Sequence, residues 1–450
     1  LGSFILQAVS RCPREPARFA PLLLFLFVAV CYANSFQGVF QFDDYKVIVD
    51  FPVVHSLPAW WADIGHGLRP LLKLSYTLNW VSGMGVSGFH LLNLALHLAS
   101  ALLVYRLCSL SFPQRPDIAL VAALLFAVHP LATEAVTYIS GRSMSLMTVF
   151  YLASLLAYLK GARAHDKSWL YIWSPLLFLL AVASKETALL LPLSLLLWEL
   201  CFSRPLGLAA LMKRQAVHWL LFVFAALAIV VNEQYWQMLM VSAQINSVQA
   251  NFLTQLHAMS YLLGQLLMPW NMNIDPDLPA IGSWSRATPD LLLWLSLMAI
   301  GLCSWRKRPW LCFAIFWFAL HLLPLHVFLP RYDVANDRHL YLAGWSLLLP
   351  IAALLGQLRY GLRAAAVAAL LLGLSALSIS RNHDYRSEIA LWESTAKLSP
   401  NKSRPYNNLG YAYYLAGRNQ EAERAYRTAI RLDPGNLRAQ NNLARLKAHP

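Results

Sequence analysis

Charge is scarce in this sequence: 13% of its 450 residues are charged and 58% are hydrophobic. A soluble chain of this size needs about a quarter of its residues charged, so a water-soluble globule is excluded. The short alternating segments of a membrane β-barrel are missing too. Six cysteines (Cys12, Cys31, Cys108, Cys201, Cys303 and Cys312) form no CxxC pair and fall in or near apolar runs or on the basic side of them. Neither a disulfide framework nor a metal site is read from them. No Gly-rich phosphate loop, HExxH or nucleophile elbow is present, and no motif points to nucleic acid. What remains is an all-α, polytopic transmembrane helical bundle.

Repeated apolar runs support that reading. Eleven spans are expected, at about 19–34, 88–108, 118–132, 143–161, 168–184, 187–203, 216–232, 290–304, 309–328, 339–357 and 364–380. Basic residues recur in alternate connections: Arg11/Arg14/Arg18, Arg106/Arg115, Lys160/Arg163/Lys167, Arg204/Lys213/Arg214, Arg306/Lys307/Arg308 and Arg359/Arg363. The positive-inside rule puts these on the cytoplasmic face. The net charge of +14 fits that pattern of Lys and Arg facing anionic membrane lipid, and also fits an anionic lipid-phosphate substrate. The first apolar run reads as an anchor and not as a cleaved signal. The opposite face then carries two long loops, 35–87 and 233–289, and everything after 381. Residues 252–268 are apolar but hold Gln255, His257 and Gln265. A twelfth span there would turn the cluster Arg306/Lys307/Arg308 outward, so an interfacial or re-entrant helix is expected.

The chain divides into a membrane domain, 1–380, and a tail, 381–450. Residues 403–436 follow the 34-residue tetratricopeptide pattern. Tyr406, Leu409, Gly410 and Tyr413 fall on a first helix, Ala422, Tyr426 and Ala429 on a second, and Pro434 closes the unit. Residues 388–400 read as the second helix of an incomplete repeat before it, and 437–447 as the first helix of one after it. So short an array leans on the membrane domain or on a partner protein.

Ionisable residues at the outer face are the functional candidates. Phe42-Asp43-Asp44-Tyr45 offers paired carboxylates, one of which could deprotonate an acceptor hydroxyl; an Asp-rich turn explains them as well. His129-Pro-Leu-Ala-Thr-Glu134-Ala-Val-Thr-Tyr138-Ile-Ser-Gly-Arg142 sets His129, Glu134 and Arg142 at a turn. Arg142 suits a phosphate or an ion pair with Glu134, and His129 a helix-end hydrogen bond. Lys185-Glu186 occupies a tight outer hairpin, and Asp337-Arg338 closes the last outer loop before Tyr341; both cations go against the charge rule. Each cation has a lipid phosphate or a neighbouring carboxylate as its partner. In Arg331-Tyr-Asp333, Asp333 is a further carboxylate for Arg338. Asp275-Pro-Asp277 spells DxD but sits in a Pro-rich outer loop and reads as a turn. His55, Trp60, Trp61, His66 and Arg69 offer sugar-stacking faces or an interface anchor.

FDDYKVI, RPLLKLSYTLNW, FHLLNLALHL, HPLATEAVTYISGRS, SKETALLLPLSLLLWE and NDRHLYLAGWS, with RNHDYRSEIALWESTAKLSPNKSRPYNNLGYAY, are similar in this order to the transmembrane-and-tetratricopeptide-repeat O-mannosyltransferases. The resemblance runs from about residue 40 to the end. It implies a GT-C fold and an inverting glycosyltransferase with a polyprenyl-phosphate monosaccharide donor, often dolichyl-phosphate mannose. The acceptor it implies is a Ser or Thr hydroxyl of a protein, which the repeat tail could dock. Asp43 and Asp44 match the family's acidic pair. Arg142, Lys185 and Arg338 match positions assignable to donor phosphate, and Arg69, His129, Glu134, Glu186, Asp337 and Tyr341 are further substrate-binding candidates. No metal is called for. With about one full repeat, the chain is expected to be a prokaryotic member. Its site and tail would then face the periplasm from a bacterial inner membrane, or the lumen of the endoplasmic reticulum in a eukaryote.

Overall fold

The computed structural model describes residues 15–66, 68–203, 207–233, 236, 237, 240, 247–328 and 334–448. Arg331 and Asp333 of the last outer loop fall outside them. The described residues are helical, without strands. The membrane part contains α1 (Glu15–Tyr32), α2 (Pro70–Val81), α3 (Gly85–Ser111), α4 (Pro116–Val128), α5 (Arg142–Ala164), α6 (Ser174–Ser184) and α7 (Leu191–Phe202). It continues with α8 (Ala216–Val230), α9 (Val248–Leu267), α10 (Trp284–Ser304), α11 (Pro309–Phe328), α12 (Leu340–Leu355) and α13 (Tyr360–Asp384).

All eleven expected stretches coincide with helix, but the expected span count is not reached. Among the described residues, six helices are long and apolar enough to cross a membrane, or up to eight if two bent pairs each count once. Pro130 causes the first bend: it lacks an N–H and its ring clashes with the preceding turn, so α4 stops at Val128 and the chain turns by 51°. In the expected span 187–203, a 3₁₀ turn over Glu186–Leu190 leaves only the twelve residues of α7 as α-helix. The stretch 252–268 lies in α9, one continuous 20-residue helix that packs on α10, α11 and α12. It is not among the six.

The core helix α3 explains how polar groups sit inside the bundle. His90, Asn93, His97 and Ser100 recur at steps of three and four, so they share one buried stripe. Buried polar groups need partners, and Asn93 and His97 find them on neighbouring elements. Asn93 donates to the carbonyls of Val136 and Ile139, while His97 bonds the Tyr341 hydroxyl and the Ala127 carbonyl. The stripe thereby holds the broken end of α4 against the start of α5.

The tail is α14 (Glu388–Leu398), α15 (Ser403–Leu415), α16 (Asn419–Leu432) and α17 (Leu437–Ala448). The close packing of α15 on α16 requires Gly410, where a Cβ would come within 2.6 Å of the Tyr426 ring. The tail leans on the membrane part, as a short array must. Asp275 is buried and ion-paired with Lys402 and Arg404. Ser399 donates to the Asp275 carbonyl at 2.7 Å, and Asp277 accepts the Asn401 N–H at 3.2 Å. The DxD segment is therefore a structural anchor for the repeat. Tyr138, Ile274, Tyr385, Leu391, Trp392 and Leu409 form one apolar cluster across this junction.

Candidate active site

The acidic motif sits just beyond α1. Phe42 has φ +46°, the left-handed region, so the chain turns sharply just before Asp43 and Asp44. Asp44 is fully buried. Its carboxylate accepts the backbone N–H groups of Gln41 (3.0 Å) and Ser140 (2.8 Å). Burial pushes its pKa up to about 7; the two N–H donors pull the other way, and the Asp43 charge adds to the rise. Asp43 is half-buried, and its carboxylate makes no hydrogen bond or ion pair with another described residue. Its backbone N–H donates to the Tyr138 hydroxyl at 3.0 Å.

Residues 129–142 wrap around this loop. Short helical turns at 130–132, 133–136 and 139–141 lead into α5. They fold tightly enough that a Cβ at Gly141 would lie 2.0 Å from the Glu134 carbonyl oxygen, so only glycine fits. The turn brings the Ser140 N–H to Asp44 and the Tyr138 hydroxyl to Asp43. Burial and the charges of Asp44 and Asp43 hold the Tyr138 phenol well above its usual pKa, so it stays protonated.

The cations behave differently from one another. Arg142 is fully buried, and its guanidinium is held by neutral groups: Asn93 Oδ1 at 2.6 Å, the Ser75 carbonyl at 3.1 Å and the Phe89 carbonyl at 3.0 Å. It also lies over the rings of Tyr76 and Phe89, each 5.1 Å away. The alternative of a Glu134–Arg142 ion pair is not what forms. Glu134 instead faces Arg338, accepting its backbone N–H at 3.1 Å and pairing with its guanidinium at 3.9 Å. Arg338 thus pairs with Glu134, a carboxylate other than Asp337 and Asp333, the two that the sequence offers it beside a lipid phosphate. Asp337 accepts the Asn273 N–H at 3.0 Å.

Arg69 and Glu186 form a two-pronged pair at 2.6 and 2.9 Å. Burial alone would raise the Glu186 carboxyl, but Arg69 and then Lys185 bring it down to about 2. Lys185 is itself buried. The Tyr138 hydroxyl lies in the combined field of Asp44, Asp43 and Arg338. Tyr76 lies in that of Arg142, Asp44, Arg69 and Arg338. Segments from the loop 35–87, the turn 129–142, Lys185-Glu186 and the stretch before α12 therefore converge on one region.

Two candidates stand apart from it. Tyr341 is buried in the bundle, with its hydroxyl on His97 Nδ1 at 2.8 Å. His129 bonds the Leu266 carbonyl through Nε2 at 3.0 Å and accepts the Leu131 N–H on Nδ1, a helix-end role. In the loop 55–70, His55 stacks on Trp80 at 3.9 Å and Trp61 is exposed. Sequence reasoning missed Asn93, Tyr76 and Glu388. The first two lie in recognisable segments, yet nothing marked them as partners of Arg142. Among the described residues no group of His, Cys, Asp and Glu is arranged to hold a metal. A small, mostly apolar cavity of about 20 Å³, room for little more than one water, is lined by Met144, Met147, Thr187, Leu190, His321, His339 and Leu342. Thr187 follows Lys185-Glu186 in the chain and His339 follows Arg338.

A tetratricopeptide repeat model matches residues 403–436. The chain is 27% identical over 485 residues to mouse protein O-mannosyl-transferase TMTC3, covering 93% of this chain and 51% of that protein. It is 26% identical over 458 residues to the Caenorhabditis elegans protein O-mannosyl-transferase F38B6.6, covering 94% and 65%. A shorter match, 37% identical over 164 residues, is to mouse protein O-mannosyl-transferase TMTC1, covering 33% and 17%. The chain spans about half the length of the TMTC3 relatives it matches. Over most of its own length, the chain is a homologue of the transmembrane-and-tetratricopeptide-repeat protein O-mannosyl-transferases.

Proposed function

We propose that this protein is an inverting glycosyltransferase of GT-C type, moving a monosaccharide from a polyprenyl-phosphate carrier to a Ser or Thr hydroxyl of an acceptor protein at the extracytoplasmic face. The observation that carries the proposal is the pairing of one fixed acid with one open acid. Asp44 is locked by two backbone N–H groups, while the Asp43 carboxylate beside it has no described partner. Asp43 is the base. It takes the proton of the acceptor hydroxyl as that oxygen attacks the anomeric carbon from the side opposite the phosphate. The bond from the anomeric carbon to the phosphate oxygen breaks, and polyprenyl phosphate leaves with the electron pair. Lys185 and Arg338 stabilise the charge on that phosphate. Arg142 stands behind the site and fixes the walls formed by α2 and α3.

The relatives, named as protein O-mannosyl-transferases, support mannose as the sugar, and the repeat supports a protein as acceptor. The internal ion pairs Arg69–Glu186 and Glu134–Arg338 favour a second reading, a membrane scaffold whose charges serve packing alone. Intact-mass analysis of secreted and membrane proteins from cells with and without this protein separates the two. A transferase adds a single-sugar increment that disappears with the protein, and with Asp43→Asn. Identical masses in all samples favour the scaffold.

A further inference from the structure

A bulky residue adopts positive φ only where its surroundings impose it, and Phe42 does so at φ +46° immediately before the acid pair. What imposes it comes from the tail. The Phe42 N–H donates to Glu388 Oε1 at 2.7 Å, and the Phe42 ring packs edge-on against Trp392, with centroids 5.1 Å apart. Both partners belong to α14, the helix that opens the repeat segment. The Gln41 side chain donates to the Tyr385 carbonyl, and the Asp43 N–H goes to Tyr138. Three consecutive residues are thus tethered by separate partners, two of them in the tail.

Ser387 caps α14 through the Ala390 N–H, which fixes where its first turn presents Glu388. Among the described residues Glu388 makes no ion pair; its carboxylate accepts the Phe42 N–H. The charge of Glu388 reaches Tyr45 on the far side of the acid pair.

We propose that Glu388 is a positioning residue for the acidic site: its carboxylate clamps the Phe42 N–H and so sets the direction in which Asp43 points. The tetratricopeptide tail is then part of the catalytic architecture and not only a docking module. The word catalytic here rests on the transferase reading above; the clamp itself does not.

The test uses the full chain in lipid nanodiscs, with a polyprenyl-phosphate mannose as the probe donor and a Ser/Thr peptide as acceptor. Glu388→Ala removes the acceptor of the Phe42 N–H, whereas Glu388→Gln keeps an oxygen there. The expected result is a fall in kcat of about 10- to 100-fold for Glu388→Ala, with the KM for donor within about twofold of wild type. Glu388→Gln should stay within a few-fold of wild-type kcat, because the clamp needs an acceptor and not a charge. Phe42→Gly placed in the Glu388→Ala protein should recover part of the loss, since glycine enters the left-handed region without a clamp. Hydrogen exchange over residues 40–50 should rise in Glu388→Ala and not in Glu388→Gln, whatever the activity. Equal loss in Ala and Gln, or unchanged kcat and exchange in Glu388→Ala, overturns the proposal. A wild-type protein inert toward lipid-phosphate sugars overturns the transferase reading instead, and the exchange pattern still decides the clamp.

Discussion

The backbone N–H of Asp43 rests on the hydroxyl of Tyr138, 3.0 Å away, although the two residues are separated by 95 positions in the chain. That one bond joins the first outer loop to the turn between α4 and α5. The Ser140 N–H beside it fixes Asp44. The two acids of one dipeptide therefore do different work, and substitution should separate them.

Asp43→Asn should cut transfer by about 100- to 10,000-fold, the range for loss of a positioned general base, with the thermal midpoint unchanged. Asp44→Asn should act mainly on the fold. The amide keeps one acceptor but turns its NH₂ toward a backbone N–H, so residues 40–50 loosen and the midpoint falls. Thermal scans run beside activity measurements of both variants check this; a fold-neutral, inactive Asp44→Asn protein contradicts the division of roles.

The pH dependence follows from Asp44, and its sign is unusual for a carboxylate. Its pKa is raised by burial from an ordinary 3.8 to about 7, so the native state binds the proton more tightly than the unfolded chain does. The stability it contributes is fully present below about pH 4 and is lost as pH rises to 7. Wild type should therefore lose more thermal stability than Asp44→Asn between pH 5 and pH 8. Equal losses in the two proteins contradict the burial argument.

Glu186 works in the opposite direction. Arg69 and Lys185 hold its carboxyl at about 2 in spite of burial, so this stabilisation is present above about pH 4.5 and disappears as pH falls toward 2. Arg69→Ala leaves a buried carboxylate with one partner fewer. It should destabilise the protein at pH 7 by about 1–3 kcal/mol, between the values for exposed and buried pairs. Adding Glu186→Gln should restore part of that. Chemical unfolding of the single and double variants measures the coupling.

Arg142→Lys should not be conservative. The guanidinium binds acceptors on α2 and α3 in three directions, and an ammonium cannot span them. Buried carbonyls left without donors cost about 1–3 kcal/mol each, so the variant should express poorly or melt early. An Arg142→Lys protein with normal stability and weakened donor binding would return Arg142 to the phosphate.

The parts of this molecule legible in its sequence are those written locally. The Phe-Asp-Asp-Tyr motif, the isolated cations Lys185 and Arg338 between apolar runs, and the repeat over residues 403–436 all rest on neighbours in the chain or on a fixed period. Spans were harder to delimit, because a proline such as Pro130 breaks a helix without interrupting its apolar composition. The partners of buried charges were not legible at all. Arg142 looks equally suited to phosphate or to Glu134 until α2 and α3 place Ser75, Asn93 and Phe89 around it. Glu388 lies 346 positions from Phe42, and no periodicity carries information across that distance. The lone Asp43 carboxylate was half legible: the pair stands out, but which acid stays open depends on where the Ser140 N–H lands.

The most direct measurement is single-turnover transfer by the purified full chain in nanodiscs, loaded with a radiolabelled polyprenyl-phosphate monosaccharide and given an acceptor polypeptide. Label moving onto a Ser or Thr with inverted anomeric configuration, and staying on the lipid with Asp43→Asn, is the outcome this account predicts. Label that stays on the lipid with every sugar and acceptor offered, or that moves equally fast with Asp43→Asn, contradicts it.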